Sequence, residues 1–536
     1  MRSQHILVTA ALSVLVASCG GGSGSGGSTS PTSAKPPPFT AVSQVRVSQP
    51  TTFSGCNAAT QTGTLYLNTA LEPSLVVNPT NTANLIAEWQ QNRWSTGGSE
   101  GLNLGASLDG GATWQITNAP FSICTGGNAN SAGDYLRASN GWLTVSPAGL
   151  IYALSLSFTG GALLPGSSNA QLVSQSSDGG LTWSEPIALI ADGANAFNDK
   201  GSITADPTDS NYVYAVWDRL IGQTAGPSYF AVTADGGNTW QTARSIYDPG
   251  VNNQTIGNIL VVLPNDVLVD VFTEIDNEAD GATTSLLRAI HSTDHGATWS
   301  QPVTVSEDEA VGAIDPQTGA PIRDSSLLFS VAVAPGGTIY MAWQDARFSS
   351  GDHDGVALSS STDGGNTWSD PVEVNGDPAA VAFTPTISVR ADGVIGITYY
   401  DLRNDTFPGT VLTDCWMVTS SDGETFTESH LSGPFDLNNA PQGEFGPNNT
   451  LGLFLGDYQA LTSSGTEFLP LYAQTNPGTA ISSDVFIDFP PTTAAVVAVA
   501  HQFRANEAQP GARLANAARQ RIMERIRFAQ YARLPH

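Results

Sequence analysis

Positive charge is scarce in this chain. Of 536 residues only 20 are Lys or Arg, against 48 Asp or Glu, for a formal net charge of -28. A surface that binds phosphate backbones needs concentrated cations, so nucleic acid is not an expected partner, and the acidity reads as a device for solubility. Cysteine is nearly absent too. The four present show no C-x-x-C spacing, which argues against a zinc or iron–sulfur site. No P-loop, Rossmann glycine pattern, H-E-x-x-H or G-x-S-x-G occurs in a suitable context, which sets aside nucleotide, zinc-protease and serine-hydrolase chemistry.

The N-terminal apolar run, Ile6 to Val16, is too short to span a membrane. It follows Arg2 and ends in Val16-Ala17-Ser18-Cys19-Gly20, which resembles a bacterial lipoprotein signal occupying residues 1–19. The resemblance implies cleavage before Cys19, lipidation of that residue, and an exported chain held by its lipid at the outer membrane or cell surface. An ordinary secretory signal is the alternative. Residues 20–40 are rich in Gly and Ser, then Pro, and read as a tether unable to bury enough to fold. Export permits a disulfide, and three cysteines remain for one bridge. Cys56 with Cys124 is the expected pair, leaving Cys415 buried and free. Residues 493–536 change character, with Arg504, Arg513, Arg519, Arg521, Arg525, Arg527 and Arg533 set among Ala, Ile and Met, and read as a basic helical tail.

Between tether and tail, residues 41–492 are organised by a repeat. Ser361-Thr362-Asp363-Gly364-Gly365-Asn366-Thr367-Trp368 has near copies at Ser107 to Trp114, Ser176 to Trp183, Thr233 to Trp240 and Ser292 to Trp299, and a shortened one at Ser420 to Phe426. The Asp positions 109, 178, 235, 294, 363 and 422 are spaced by 69, 57, 59, 69 and 59 residues, which suits one four-stranded propeller blade plus loops. Physically the octet is a hairpin turn. The Asp carboxylate can accept from turn N–H groups, glycine supplies positive φ, and Trp returns into the sheet as an apolar anchor.

Six octets give six blades. Counting instead the hairpins that pair an inner strand with its neighbour, at 74–90, 143–156, 203–217, 260–273, 330–343, 387–400 and 460–474, gives seven. The expected fold is an all-β propeller, seven blades favoured over six. Its last blade is short of a strand, to be completed by an N-terminal one such as 62–68, which would remove an open edge.

If inner strands run away from the ligand face, the loops after the second strands open on that face and the octet turns lie behind. Of eleven basic residues between tether and tail, Arg93, Arg137, Lys200, Arg219, Arg323, Arg347 and Arg403 fall in the front loops, beside Asp218, Asp345, Asp401 and Asp457. Cations gathered so in an acidic protein suit a carboxylate or sulfate ligand, because Arg binds these in two-point contact. The competing reading is that each Asp–Arg pair only pins a loop. Ca²⁺ is compatible with the oxygen-rich positions Asp352, Asp354 and Asp199, although spacing alone defines no cage, and no other metal or cofactor is expected.

The octets match the Asp-box, S-x-D-x-G-x-T-W. Together with the run from Gly337 to Trp368 they make residues 70–490 resemble the sialidase (neuraminidase) superfamily and its BNR-repeat relatives. The resemblance implies a glycoside hydrolase acting on acidic glycans. Three Arg would hold the sugar carboxylate, an Asp on a loop would serve as acid and base, and a Tyr activated by Glu would be the nucleophile. By position the Asp is Asp352 or Asp354, the Tyr is Tyr458 or, second, Tyr400, and the triad is drawn from Arg93, Arg219, Arg347 and Arg403, with the Glu unassigned. The family's F-R-I-P motif is absent, Gln44-Val45-Arg46-Val47 being the nearest segment. A non-catalytic surface protein binding glycans or proteins is the alternative, as is a polysaccharide lyase using Tyr400 or Tyr458 as base.

Overall fold

The computed structural model describes residues 43–53, 56, 61–222, 224–277, 282–444, 450–478, 480–489, 501–507, 518–523 and 526. The signal, Cys19, the tether and most of the tail lie outside these residues.

The described chain is all-β with almost no helix. Four-stranded antiparallel meanders follow one another over 65–117, 137–193, 196–247, 254–307, 329–373 and 382–436, and a three-stranded run covers 460–489. All seven expected hairpins form, with pairs such as Val77↔Leu85, Ala205↔Val213 and Val389↔Ile395 closing their turns. The first strands share one axis: Ser74, Leu143, Ser202, Ile259, Val331, Ile387 and Leu461 line a single cavity. Apolar clusters fill the spaces between successive sheets, as with Tyr152, Leu154 and Val173 of one meander against Ile203, Val213 and Trp217 of the next.

The edge of the last run is closed from the N-terminus, but by a different segment from the one expected. Ser43–Arg46 pairs antiparallel with Ser483–Phe489, placing Ser43 opposite Phe489 and Arg46 opposite Phe486. Residues 65–68 instead begin the first inner strand, with Leu65 opposite Trp94. Val45 joins the apolar cluster of Leu471, Val485 and Ile487, which explains the choice: the Gln44-Val45-Arg46-Val47 segment alternates, whereas the polar 62–64 stretch has nothing to bury. The tail also departs from a simple helix. His501–Arg504 and Asn506–Glu507 are strands, added to the outer edges of the 382–436 and 329–373 meanders, and helix follows at 518–523.

The octet turns form as their chemistry requires. Asp363 accepts from Ser361 Oγ (2.9 Å), Thr367 N (2.9 Å) and Thr367 Oγ1 (2.6 Å), while Gly364 and Gly365 hold φ of 75° and 87°. The Trp368 indole donates to Gly365 O at 3.1 Å. These bonds hold the Asp363 carboxyl down at about 2. Register places every octet at the far end of its meander. Val213 lies opposite Thr233 and Ile339 opposite Ser361, whereas Asp218 lies opposite Asp199 and Asp401 opposite Ala382. Cys56 and Cys124 form the disulfide, and Cys415 is free and buried.

Five inner strands share a feature that the repeat did not disclose. Each carries the same two-for-one bulge, in which 72–73, 140–141, 200–201, 257–258 and 384–385 stand opposite the single residues Trp89, Ser155, Trp217, Phe272 and Tyr399. The first residue of each bulge is left-handed: Glu72 (φ 53°), Asn140 (50°), Lys200 (45°), Gly257 (73°) and Thr384 (52°). For non-glycine residues this conformation costs on the order of 1–3 kcal/mol each, and bulges of this kind re-aim side chains beside functional sites.

Two ionisations give the fold opposing pH slopes. The octet carboxylates have depressed pKa values, so their contribution is present above about pH 4 and lost as pH falls toward 2. Asp488 is buried and accepts from Tyr472 OH at 2.7 Å; burial pushes it up to about 7, so stability falls as pH rises from about 4 through 7. We predict maximal thermal stability between roughly pH 4 and 6. Burial also pushes Asp401 up to about 7, against its Arg403 partner, so Asp488→Asn should make the alkaline side of the profile shallower without flattening it, and an unchanged profile in that variant would refute the assignment.

Candidate functional site

The bulges gather a charged cluster at the second-strand end of the axis. Asp457, 4% exposed, accepts two bonds from Arg323 (3.0 and 2.8 Å) and one from Lys200. Glu72, 1% exposed, accepts from the Asp457 backbone N–H (3.1 Å) and from the Gln90 side-chain amide. Gly456, at φ 130°, packs directly on the Glu72 backbone, where a Cβ would lie 2.8 Å from its nitrogen. Only glycine admits that approach, which seats Asp457 between the two cations.

Electrostatics sorts the cluster. Burial opposes ionisation of Asp457, but Arg323 and Lys200 overcome it and hold the carboxyl far below the usual range. Burial, reinforced by Asp457, pushes Glu72 up. Arg93 is buried at 4% exposure, its Nη1 donating to Gln90 Oε1 at 2.6 Å. It makes no ion pair among the described residues. Burial and neighbouring Arg323 lower it to about 10. Arg93 and Arg323 both stack on the Phe454 ring, at 4.8 and 4.3 Å.

A cavity of about 250 Å³ opens above this cluster, lined by Arg93, Lys200, Arg323, Asp199, Asp324 and Asp457 with Phe158 and Phe197; we call it the funnel. The axial cavity, about 210 Å³, lies against the same Lys200–Asp457 pair and is lined by Trp142 and Tyr458. The ion pair therefore borders both spaces.

The other candidate residues are distributed differently. Arg219, Arg347 and Arg403 lie at the expected end of their meanders, but each is already held by carboxylates, Arg219 by one on the last strand of the preceding meander and the other two by ones of their own sheets. Arg219 forks onto Asp192 (3.1 and 2.7 Å), and Arg347 onto Asp345 (2.8 and 2.7 Å). Arg403 binds Asp401 at 2.5 Å and Glu428 twice at 2.8 Å, stacked on Trp416 at 3.8 Å. Asp345 and Asp401 also accept from the Trp343 and Trp416 indoles. These pairs pin strands, and none of the three Arg lines the funnel. Arg137 is spent on Gln61, Thr62, Thr96 and Gly97. Asp218 accepts from Gly257 N at 3.3 Å beneath the bulge.

Of the proposed reacting groups, Tyr400 is 1% exposed among Phe383, Phe435 and Tyr472, its hydroxyl donating to Ala473 O at 2.6 Å. Asp354 is wholly buried and accepts from Val311 N and Gly312 N, both at 2.8 Å. Asp352 stands exposed on its loop beside His353. Tyr458 lies edge-on to Trp142, its hydroxyl 3.4 Å from Gly141 O; burial, Glu72 and Asp457 all push its pKa up. Asp352, Asp354 and Asp199 do not converge on a metal-sized space. Among the described residues the one such grouping is Glu100 with the disulfide-bonded Cys56 and Cys124. Sequence reasoning missed Glu72, although a carboxylate before Pro73 inside the apolar stretch Ala70–Val77 was the available signal.

Residues 228–439 match the family described as BNR repeat-like domain. No curated protein matches the chain. Among solved structures it is similar to an alpha-L-arabinanase from Penicillium chrysogenum complexed with arabinobiose, at 16% identity over 62% of this chain and 88% of that one, TM-score 0.41. It is also similar to a sialidase from Streptococcus pneumoniae, at 10% identity over 84% and 98%, TM-score 0.42. A protein of unknown function from Dyadobacter fermentans, 13% identical over 84% and 98%, has a TM-score of 0.43.

Removing one partner of a buried ionic group leaves the others uncompensated, at about 3–5 kcal/mol. Asp457→Ala, which strands Lys200 and Arg323 beside Arg93, is therefore expected to lose stability of that order in urea denaturation. Arg219→Ala, at a partly exposed pin whose two side chains are 16% and 19% exposed, should lose less than half as much. Equal losses would show that the central cluster is no more than another pin.

Proposed function

We propose that the chain is a seven-bladed propeller whose funnel binds an acidic glycan. Arg93 carries this reading. It is a buried guanidinium at the cavity wall that, among the described residues, makes no ion pair with a carboxylate, beside an Arg323 and a Lys200 that share a single one. A ligand carboxylate or sulfate supplies the missing charge in two-point contact. Phe158 and Phe197, edge to face at 6.1 Å, give the same cavity an apolar face suited to a sugar ring. The seven-blade count is supported by the seven inner strands that line one axial cavity.

Hydrolysis is a second reading, favoured by one observation: the Asp352 side chain is 87% exposed on the loop after its strand. In that reading Asp352 is the acid and base, and Tyr458, across the Lys200–Asp457 pair from the funnel, is the nucleophile.

Titration calorimetry with 3′-sialyllactose tests the first reading. The unmodified chain should bind, Arg93→Ala should bind at least about tenfold more weakly, a loss of about 1.4 kcal/mol, and Arg219→Ala should bind as the parent does. Absence of binding by the parent, or equal binding by Arg93→Ala, rejects it. Release of fluorophore from a sialoside by the parent but not by Asp352→Ala would establish turnover; equal rates in the two would remove Asp352 from the chemistry.

A further inference from the structure

The carboxy-terminal segment reaches the funnel. His501–Arg504 adds to the outer strand of the 382–436 meander, Thr425 opposite Arg504, with Phe503 on Phe426 at 6.1 Å. Asn506–Glu507 then adds to the outer strand of the neighbouring meander, and the Asn506 side chain donates to Glu373 at 3.1 Å. Seven residues thus tie two adjacent sheet edges together.

Further on, the helix at 518–523 and residue 526 lie at the opposite side of these sheets, on the funnel end. Ala518 (3% exposed), Ile522 and Ile526 (1%) follow at i, i+4 and i+8, one helical stripe. Ile526 is buried against Ile256, Ile275 and Leu327, with Ile522 and Leu328 packed on the same cluster. Ile256, Leu327 and Leu328 line the funnel. Beside this stripe, Arg521 donates to Gly351 O and, at 3.2 Å, to Asp352 O, fixing the backbone of the loop that exposes Asp352. Arg519 acts on Glu309 nearby, against the burial that raises its pKa.

We propose that this helix is the outer buttress of the funnel, with Ile526 a positioning residue for the 323–328 wall and Arg521 a positioning residue for the 349–353 loop. Neither reaches the cavity. Ile526 acts through Leu327 and Leu328, which do, and Arg521 through the backbone of the loop that carries Asp352. The wall segment is short: the meander behind it starts only at Phe329, and Arg323 pairs in a two-residue strand with Phe454. Without Ile526, Leu327 and Leu328 would face solvent on their outer side and lose their fixed distance from Arg93. The proposal rests on the funnel being the ligand site, and its test separates the two.

Hydrogen–deuterium exchange on the full chain reads the buttress without any ligand. In Ile526→Ala, exchange over 323–328 should accelerate about tenfold or more, as local opening becomes easier by about 1.4 kcal/mol. In Arg521→Gln, which leaves the apolar stripe intact, the faster segment should be 349–353 instead, and octet turns should be unaffected in both. Affinity for 3′-sialyllactose should fall several-fold in Ile526→Ala with little change in melting temperature, and Ile526→Val should restore most of it. Unchanged exchange in both segments overturns the proposal, as does faster exchange at unaltered affinity, which would make the helix a purely structural contact. If the unmodified chain binds no sialyllactose while the exchange pattern appears as described, the acidic-glycan reading fails and the buttress stands.

Discussion

Everything at the axis depends on one backbone constraint: an inner strand that must fit two residues opposite one. Five times the chain meets this by turning a residue into the left-handed region, four of them with a side chain attached. A regular strand would send those side chains alternately into the spaces between sheets. The bulge sends Glu72 and Lys200 into contact with Asp457 instead, so conformational strain and a polar axis arise from the same device. The aromatic residues across from the bulges, Trp89, Trp217 and Tyr399 among them, fill the space vacated by the kink and are almost wholly buried.

The cations illustrate how far charge can be read from sequence. That seven of the eleven basic residues between tether and tail sit at one end of the sheets follows from strand direction, and the register of strands such as those bearing Lys200, Arg219 and Asp401 agrees with it. Direction along a strand says nothing about which way a side chain leans across it. Arg219, Arg347 and Arg403 lean onto nearby carboxylates and onto aromatic rings of their own sheets, Arg219 reaching across to Asp192 of the preceding meander. Arg93 and Arg323 lean onto Phe454 at the axis. Asp345 and Asp401 each end a strand, and the chain turns at once through Arg347 and Arg403, which brings the guanidinium back onto the carboxylate two residues before it. Their place in the loops after the second strands, among the few cations of an acidic protein, is what made them candidate ligands.

The octets were legible almost atom by atom, because their bonds are local: in the one at 361–368, Ser, Asp, Thr and Trp each find a partner inside the turn. Hairpins were legible for the same reason of locality. The central cluster was not, since Glu72, Lys200, Arg323 and Asp457 are separated by more than a hundred residues at each step, and only closure of the sheets around an axis brings them together. Tyr400 shows the converse. Its place at the end of a second strand suggested a site, yet strand alternation turned it inward among Phe383 and Phe435, where it is a core residue.

The strand that closes the last sheet, Ser43–Arg46, is made first and used last. A ribosome delivering the chain from its amino end exposes Gln44 and Val45 long before Phe486 to Phe489 exist, and until then both the leading strand and each newest sheet offer bare amides and carbonyls to any passing extended peptide. A nascent chain of this design needs its earliest strand kept occupied, or kept apart from its neighbours, for nearly the whole of its synthesis. Completion of the fold is then a late event that joins the two ends of the domain at once.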